Sequence, residues 1–257
     1  MNSAPFSLRV ERRVGILRME RPEKRNALDA PMLEALGEKL WEIEHRDDLQ
    51  VLILTGRDKA FCAGGDIEAW SGLDAASFGR HWIRDGHDIF DRLARLRQPV
   101  IAVLNGHALG GGLELAACAD YRIAEDHVKI GMPEAGLGII AGWSGTQRAT
   151  RRFGSQWVRR MALFGEILTA GQAHDAGIVD QVAAKGSGLD CALELAEKVL
   201  GRGPLATELT KMMINAAEGE ERERVLDSLA GRIAAASDEL REGVAAFREK
   251  RSPDFRN

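Results

Sequence analysis

Apolar positions recur along this chain with two different periods. Residues 6–10 and 14–19 alternate apolar with polar around Glu11-Arg12-Arg13, which predicts an antiparallel hairpin with one exposed face. After Arg21-Pro22 and a polar, cationic segment, Asp29 stands as an N-cap with Pro31 in the first turn of a helix. Apolar residues at 33, 36, 40 and 43 make that helix amphipathic and end it before Asp47-Asp48. Residues 51–54 and 99–104 are continuous apolar runs, too short for ordinary helices and bounded by turn residues, and read as buried strands. Between them, residues 71–98 contain Gly72 and Gly79 and then a predicted helix with Trp82, Ile83, Ile89, Phe90, Leu93 and Leu96 on its apolar side, leaving His81 and His87 as surface or packing residues.

Residues 121–124 and 128–131 are brief strand-like runs, and residues 133–138 form a turn-rich loop. Residues 141–148 enter a basic helix, and another starts at Thr169, ending at Gly177 before a strand at 178–182. From Leu189 the pattern is almost wholly helical, over 190–201, 204–218, 221–236 and 238–250. Strands alternating with helices, followed by helices alone, predict an α/β core over residues 1–188 and a helical region over 189–257. Apolar strand, glycine turn and helix recur at Val51, Val100 and Ile178, which hints at a ββα superhelix, although the uneven spacing is no sequence repeat.

One stretch organises the rest. Residues 104–120, Leu-Asn-Gly-His-Ala-Leu-Gly-Gly-Gly-Leu-Glu-Leu-Ala-Ala-Cys-Ala-Asp, read as the turn from a buried strand into a buried helix. Each glycine inside a helix costs about 1 kcal/mol against alanine, so Gly110, Gly111 and Gly112 together need a reason. Either backbone passes very close to something, or its dihedrals are closed to other residues. Glycines at a helix start also leave free N–H groups uncovered, and those favour negative charge. Tight helix-to-sheet packing explains the same residues equally well. Glu114 shifts the balance, because a carboxylate one turn into an apolar helix is expensive unless chemistry uses it. Residues 59–67 follow the same logic, with Gly64-Gly65 after the apolar Ala60-Phe61-Cys62-Ala63, and residues 133–138 hold a second acid, Glu134.

Composition narrows the class of partner. With 257 residues, 45% hydrophobic and 29% charged, the chain has the makings of an ordinary soluble core. A net charge of −4 with interspersed signs gives no global basic field for nucleic acid. No apolar run is long enough to cross a bilayer, and Met-Asn-Ser-Ala-Pro-Phe lacks the pattern of a signal peptide, so a cytoplasmic location is expected. Cys62, Cys118 and Cys191 are odd in number and widely separated, as reduced thiols are. The six histidines show no metal-ligand spacing, and no metal site is expected.

Two glycine turns and two acids suffice to sketch a reaction. If Gly65 and Gly111 each direct a backbone N–H at one carbonyl oxygen, they form an oxyanion hole, in which each donor is worth about 2.7–4 kcal/mol of barrier. An enolate then becomes accessible, with Glu114 and Glu134 to move protons or hold water beside it. No nucleophile is needed; Ser144 lies in Gly-Trp-Ser-Gly, which is not a nucleophile elbow.

Along nearly its full length the chain resembles the enoyl-CoA hydratase/isomerase family, the crotonase superfamily. The matching stretches are Arg21-Pro22 to Leu28, residues 60–67, Asn105-Gly106 through Ala116, Pro133-Glu134 to Gly138, Gly145-Thr146-Gln147-Arg148, and the tail from Glu242-Gly243 to Phe255. The resemblance implies a crotonase-like ββα spiral core with a C-terminal helical trimerisation region, assembled as a homotrimer or a homohexamer of two trimers. It implies oxyanion-hole donation to an acyl-CoA thioester by Gly65 and Gly111. It places Lys24, Arg25, Ala27, Leu28, Ala63, Asp66 and Ile67 around the CoA moiety. Phe247 and Lys250 would reach CoA from the helical tail, in some members across a subunit boundary. No separate cofactor is implied, since CoA arrives as part of the substrate. Glutamate at both acid positions, twenty residues apart, is the hydratase pattern. The resemblance therefore implies syn hydration of a 2-enoyl-CoA, with Glu114 deprotonating the water that attacks C3 and Glu134 supplying the proton at C2. The nearest alternative is Δ3,Δ2-enoyl-CoA isomerisation through Glu134 alone; a structural or RNA-binding protein on the same fold is a rival of another class. Where hydratases commonly read Pro-Gly-Ala-Gly-Gly-Thr-Gln-Arg, residues 141–148 read Ala-Gly-Trp-Ser-Gly-Thr-Gln-Arg, so Trp143 is expected to narrow or reshape the acyl pocket.

Overall fold

A computed structural model of the chain describes residues 4–255. Among the described residues nine strands form two sheets. β1 (Phe6–Glu11), β2 (Val14–Met19), β3 (Val51–Gly56), β4 (Val100–Leu104), β6 (Tyr121–Glu125) and β9 (Gln181–Ala183) line up in the order β1-β2-β3-β4-β6-β9. β5 (Ala108–Leu109), β7 (Lys129–Gly131) and β8 (Ile167–Thr169) make a second, smaller sheet. In the large sheet β1 is antiparallel to β2 and every other pairing is parallel.

Every residue of β3 and β4 is buried, as parallel strands covered on both faces require. Alternate residues divide cleanly. Leu52, Leu54, Ala102 and Leu104 join the main core with Leu17 and Met19, whereas Val51, Ile53, Ile101 and Val103 join a second core with Val14 and Ile123. The second core is closed by Ala192 and Ala196 of helix Gly188–Leu200, which lies over β3, β4 and β6. This corrects one expectation. Arg9 and Glu11 of β1 are exposed, but on β2 only Arg18 is, because that strand carries Leu17 into one core and Val14 into the other.

Helix Ala30–Glu44 starts as its sequence predicts, with the Asp29 carboxylate accepting from the Met32 N–H at 2.9 Å and Met32, Leu33, Leu36, Leu40 and Ile43 buried. The helix predicted after Gly72 and Gly79 is present, but it does not begin as an α-helix. Short turns at Ile67–Trp70 and Ala75–Ser77 lead into a π-helical stretch, Phe78–Ile83, and only then into helix Arg84–Ala94. Residues 178–182 are a strand only in their last part. The N–H groups of Ile178 and Val179 both donate to the Ala173 carbonyl, closing the preceding helix, so the ladder begins at Gln181.

The chain divides into two compact units between Leu209 and Thr210, and helix Gly188–Leu200 belongs with the sheets. The second unit contains helices Arg222–Ala235 and Asp238–Glu249, packed on each other. Among the described residues no helix is long and apolar enough to cross a membrane, and no His/Cys/Asp/Glu group has the arrangement of a metal site.

Candidate active site

β4 ends at Leu104, and after Asn105-Gly106 the two-residue strand β5 leads straight into Gly110. Gly110 has φ +54°, a value that favours glycine, and its N–H donates to the Gly131 carbonyl of β7 at 2.9 Å. Helix Gly111–Ala117 starts there, entirely buried. The segment bearing Gly64 and Gly65 runs alongside: Cys62 bridges Ala108, and Leu28 bridges Gly65. The two turns touch backbone to backbone, since a Cβ on Gly112 would lie 2.1 Å from the Cys62 carbonyl oxygen and one on Gly64 3.2 Å from the Gly111 nitrogen. That close approach is why glycines crowd both segments.

The Gly65 and Gly111 N–H groups meet no acceptor among the described residues. Both glycines line a cavity of about 100 Å³, together with Glu114 and Glu134. Three tryptophans, Trp70, Trp82 and Trp143, form much of its wall, and Leu137 and Ile140, both exposed, lie on its rim.

The two carboxyls are held differently. Oε2 of Glu114 accepts from the Trp143 N–H at 2.7 Å and the Gly145 N–H at 2.8 Å. Burial, reinforced by the nearby charge of Glu134, nevertheless pushes the Glu114 carboxyl up to about 7, with the two N–H groups pulling the other way. Both Glu134 oxygens are buried and receive no hydrogen bond among the described residues, and burial alone raises its pKa. Glu134 sits over Gly110, where a Cβ would come within 3.3 Å of Oε1. The two acids, twenty residues apart in sequence, therefore face one cavity as an electrostatically coupled pair. Cys62 is no competitor for chemistry, because burial pushes its thiol up to about 12.

A groove adjoins this cavity, lined by Lys24, Arg25, Ala27, Ala63, Gly65, Asp66 and Ile67. Ala63, Gly65 and Ile67 belong to both. Lys24 is ion-paired with Glu68 at 2.5 Å, and Arg25 is exposed at φ +53°. Asp66 is 8% exposed; it caps helix Ile67–Trp70 and pairs with Arg21 at 2.9 Å. Leu28 lies beneath the groove with its side chain buried, its N–H given to the Gly64 carbonyl and its carbonyl taken by the Asp66 N–H. Phe247 and Lys250 belong to the second compact unit, Phe247 exposed on helix Asp238–Glu249 and Lys250 at that helix's left-handed C-cap.

Sequence reasoning missed two contributors. Arg21 joins Asp29 and Asp66 and donates to the Ala27 carbonyl at 2.8 Å, fastening residues 24–28 to the Gly65 turn. The main-chain N–H of Trp143 holds Glu114, a role that no side chain advertises. Ser144 carries the trace of it, being left-handed at φ +69° without being glycine.

The family model described as enoyl-CoA hydratase/isomerase matches residues 9–257. The 2,3-dehydroadipyl-CoA hydratase of Escherichia coli is 35% identical over 253 residues, with 96% of each chain covered. The crotonyl-CoA hydratase of Syntrophomonas wolfei is 34% identical over 254 residues, again covering 96% of each. A crystal structure of enoyl-CoA hydratase from Bacillus anthracis superposes with a TM-score of 0.80 at 31% identity, over 98% of both chains. In fold and in sequence over nearly its whole length, this chain belongs to the enoyl-CoA hydratase/isomerase family of crotonase-fold proteins.

Proposed function

We propose that this protein is an enoyl-CoA hydratase, a hydro-lyase that adds water in the syn sense across the double bond of a 2-enoyl-CoA. The observation that carries the reading is the pair of coupled, buried glutamates facing one cavity with two unclaimed backbone N–H groups. The hydratases named among its relatives support it.

In this reading the thioester oxygen accepts from the Gly65 and Gly111 N–H groups, which stabilise the charge that develops as the enolate forms. Glu114 takes a proton from water while the water oxygen bonds to C3. Glu134 then gives a proton to C2 as the enolate collapses to the 3-hydroxyacyl thioester. The pair holds one proton before the reaction and one after it, so the site regenerates by passing a proton back from Glu114. Oε2 of Glu114 already accepts two N–H groups, which favours charge there and leaves Oε1 for the water. Burial raises both carboxyls, so the pair's single proton is shared between them, and the form that reacts is the one with that proton on Glu134.

The groove lined by Lys24, Arg25, Ala27, Ala63, Asp66 and Ile67 over buried Leu28 would take the CoA moiety. Assembly as a trimer or dimer of trimers and a cytoplasmic location complete the reading. No cofactor beyond the CoA of the substrate is invoked.

The test is loss of the conjugated enoyl absorbance of crotonyl-CoA on adding the protein. Glu114→Gln should abolish it. Retained conversion of a 3-enoyl-CoA to the 2-enoyl isomer, with no hydration by the wild type, would favour the isomerase instead.

A further inference from the structure

We infer that the Trp143 side chain closes off the acyl pocket and confines the enzyme to short 2-enoyl groups, an inference that rests on the thioester site proposed above. The indole is 3% exposed and clamped from several directions. A Cβ on Gly86 would lie 2.3 Å from its Nε1, and one on Gly111 2.8 Å from its Cζ3. Its ring also packs against Trp82 and Phe90, with centroids 5.0 Å and 5.1 Å away. Nε1–H donates to the Trp82 carbonyl at 3.0 Å, which ties the loop holding Glu114 to the π-helical stretch Phe78–Ile83 on the facing wall. The ring cannot swing aside without colliding with a glycine backbone or breaking that bond.

Trp143 is thus a fixed wall next to Gly111, unlike Ile140 on the rim, which is 76% exposed. The cavity it bounds, about 100 Å³, is small beside the roughly 300–1,000 Å³ of common ligand pockets. A methylene directed at the indole meets a wall that has nowhere to go, and a single misfitting methylene costs about tenfold or more in specificity.

The experiment measures kcat/KM for crotonyl-CoA, 2-hexenoyl-CoA and 2-decenoyl-CoA hydration with the wild type, Trp143→Phe and Trp143→Ala. In the wild type the value should fall at least about tenfold from crotonyl- to decenoyl-CoA. Trp143→Ala should raise the decenoyl-to-crotonyl ratio about tenfold or more, with Trp143→Phe between. The ratio is read within one preparation, so a lower active fraction does not affect it; if the alanine variant fails to fold, the phenylalanine variant alone must raise it. A flat chain-length profile in the wild type, or a ratio unchanged by substitution, overturns the inference. Hydration of none of the three thioesters by the wild type is a different result, which removes the hydratase reading and this inference with it.

Discussion

The main-chain N–H of Trp143 donates to Oε2 of Glu114 across 2.7 Å, and the Gly145 N–H donates to the same oxygen at 2.8 Å. The carboxylate is therefore aimed by the backbone of another loop. Glu114→Gln keeps the volume but replaces at most one accepting oxygen and cannot take a proton. We expect kcat for crotonyl-CoA hydration to fall about 10²–10⁴-fold with little change in thermal stability, as general-base loss does. Glu134→Gln should lose activity on the same scale. A variant of either residue with near wild-type turnover would remove it from the reaction.

With the proton-transfer roles proposed above, the two acids are expected to set the pH dependence. Proton transfer needs one proton shared between them, so activity falls when the pair holds two protons and when it holds none. The last proton leaves near the raised Glu114 value of about 7. The alkaline limb of kcat/KM against pH is expected near that value, with the acid limb below it, where the second carboxyl protonates. In Glu134→Gln the neighbouring charge that raises Glu114 is gone. The titration of Glu114, followed by carboxyl NMR, should then move to lower pH; an unmoved titration would show that the acids are not coupled.

Gly112 tests the backbone contact between the two glycine turns. A methyl group there would overlap the Cys62 carbonyl oxygen at 2.1 Å, and that neighbour is main chain. Gly112→Ala should cost at least about 1–3 kcal/mol of stability, the usual range for overpacking, read as a lowered midpoint in thermal denaturation. Gly171→Ala is the control, since a Cβ there meets nothing within 4 Å.

Arg21 holds the groove rather than the chemistry. It pairs with Asp29 at 3.1 Å and Asp66 at 2.9 Å and donates to the Ala27 carbonyl. Hydrogen bonds to charged groups contribute about 1.5–3 kcal/mol, so Arg21→Ala should loosen residues 24–28. Steady-state kinetics should show KM for crotonyl-CoA raised about tenfold, with kcat changed far less. An equal fall in kcat would place its effect on the reacting atoms.

Local chemistry made much of this legible. Asp29, Pro31 and the apolar spacing to Ile43 specify helix Ala30–Glu44 from within it. The β-branched runs at residues 51–54 and 100–104 specify buried strands because nothing else hides them so briefly. Gly110–Gly112 with Glu114 pointed to the candidate site, and Gly110, Gly111 and Glu114 do line one cavity. Trp143 was legible as a residue that reshapes the pocket, but not as the donor that holds Glu114.

What escaped the sequence depends on distant partners. Neither the two-residue strand β5 nor the three-residue β8 has a pattern long enough to read; each exists because β7 offers it a ladder. Ile178 and Val179 are strand-like in composition, yet the Ala173 carbonyl claims both N–H groups first. The burial of Val14 on the second face of β2 depends on a helix that begins more than 160 residues later. Sequence by itself determined which segments are helix or strand, which glycines and acids are too costly to be incidental, and which family they belong to. Only the tertiary structure decided that Glu114 and Glu134 share one cavity and that Trp143 both aims one of them and walls the space beside it. Side-chain type and spacing record a residue's local preferences, whereas a main-chain N–H is the same in every residue but proline, and where it points is set by the fold alone.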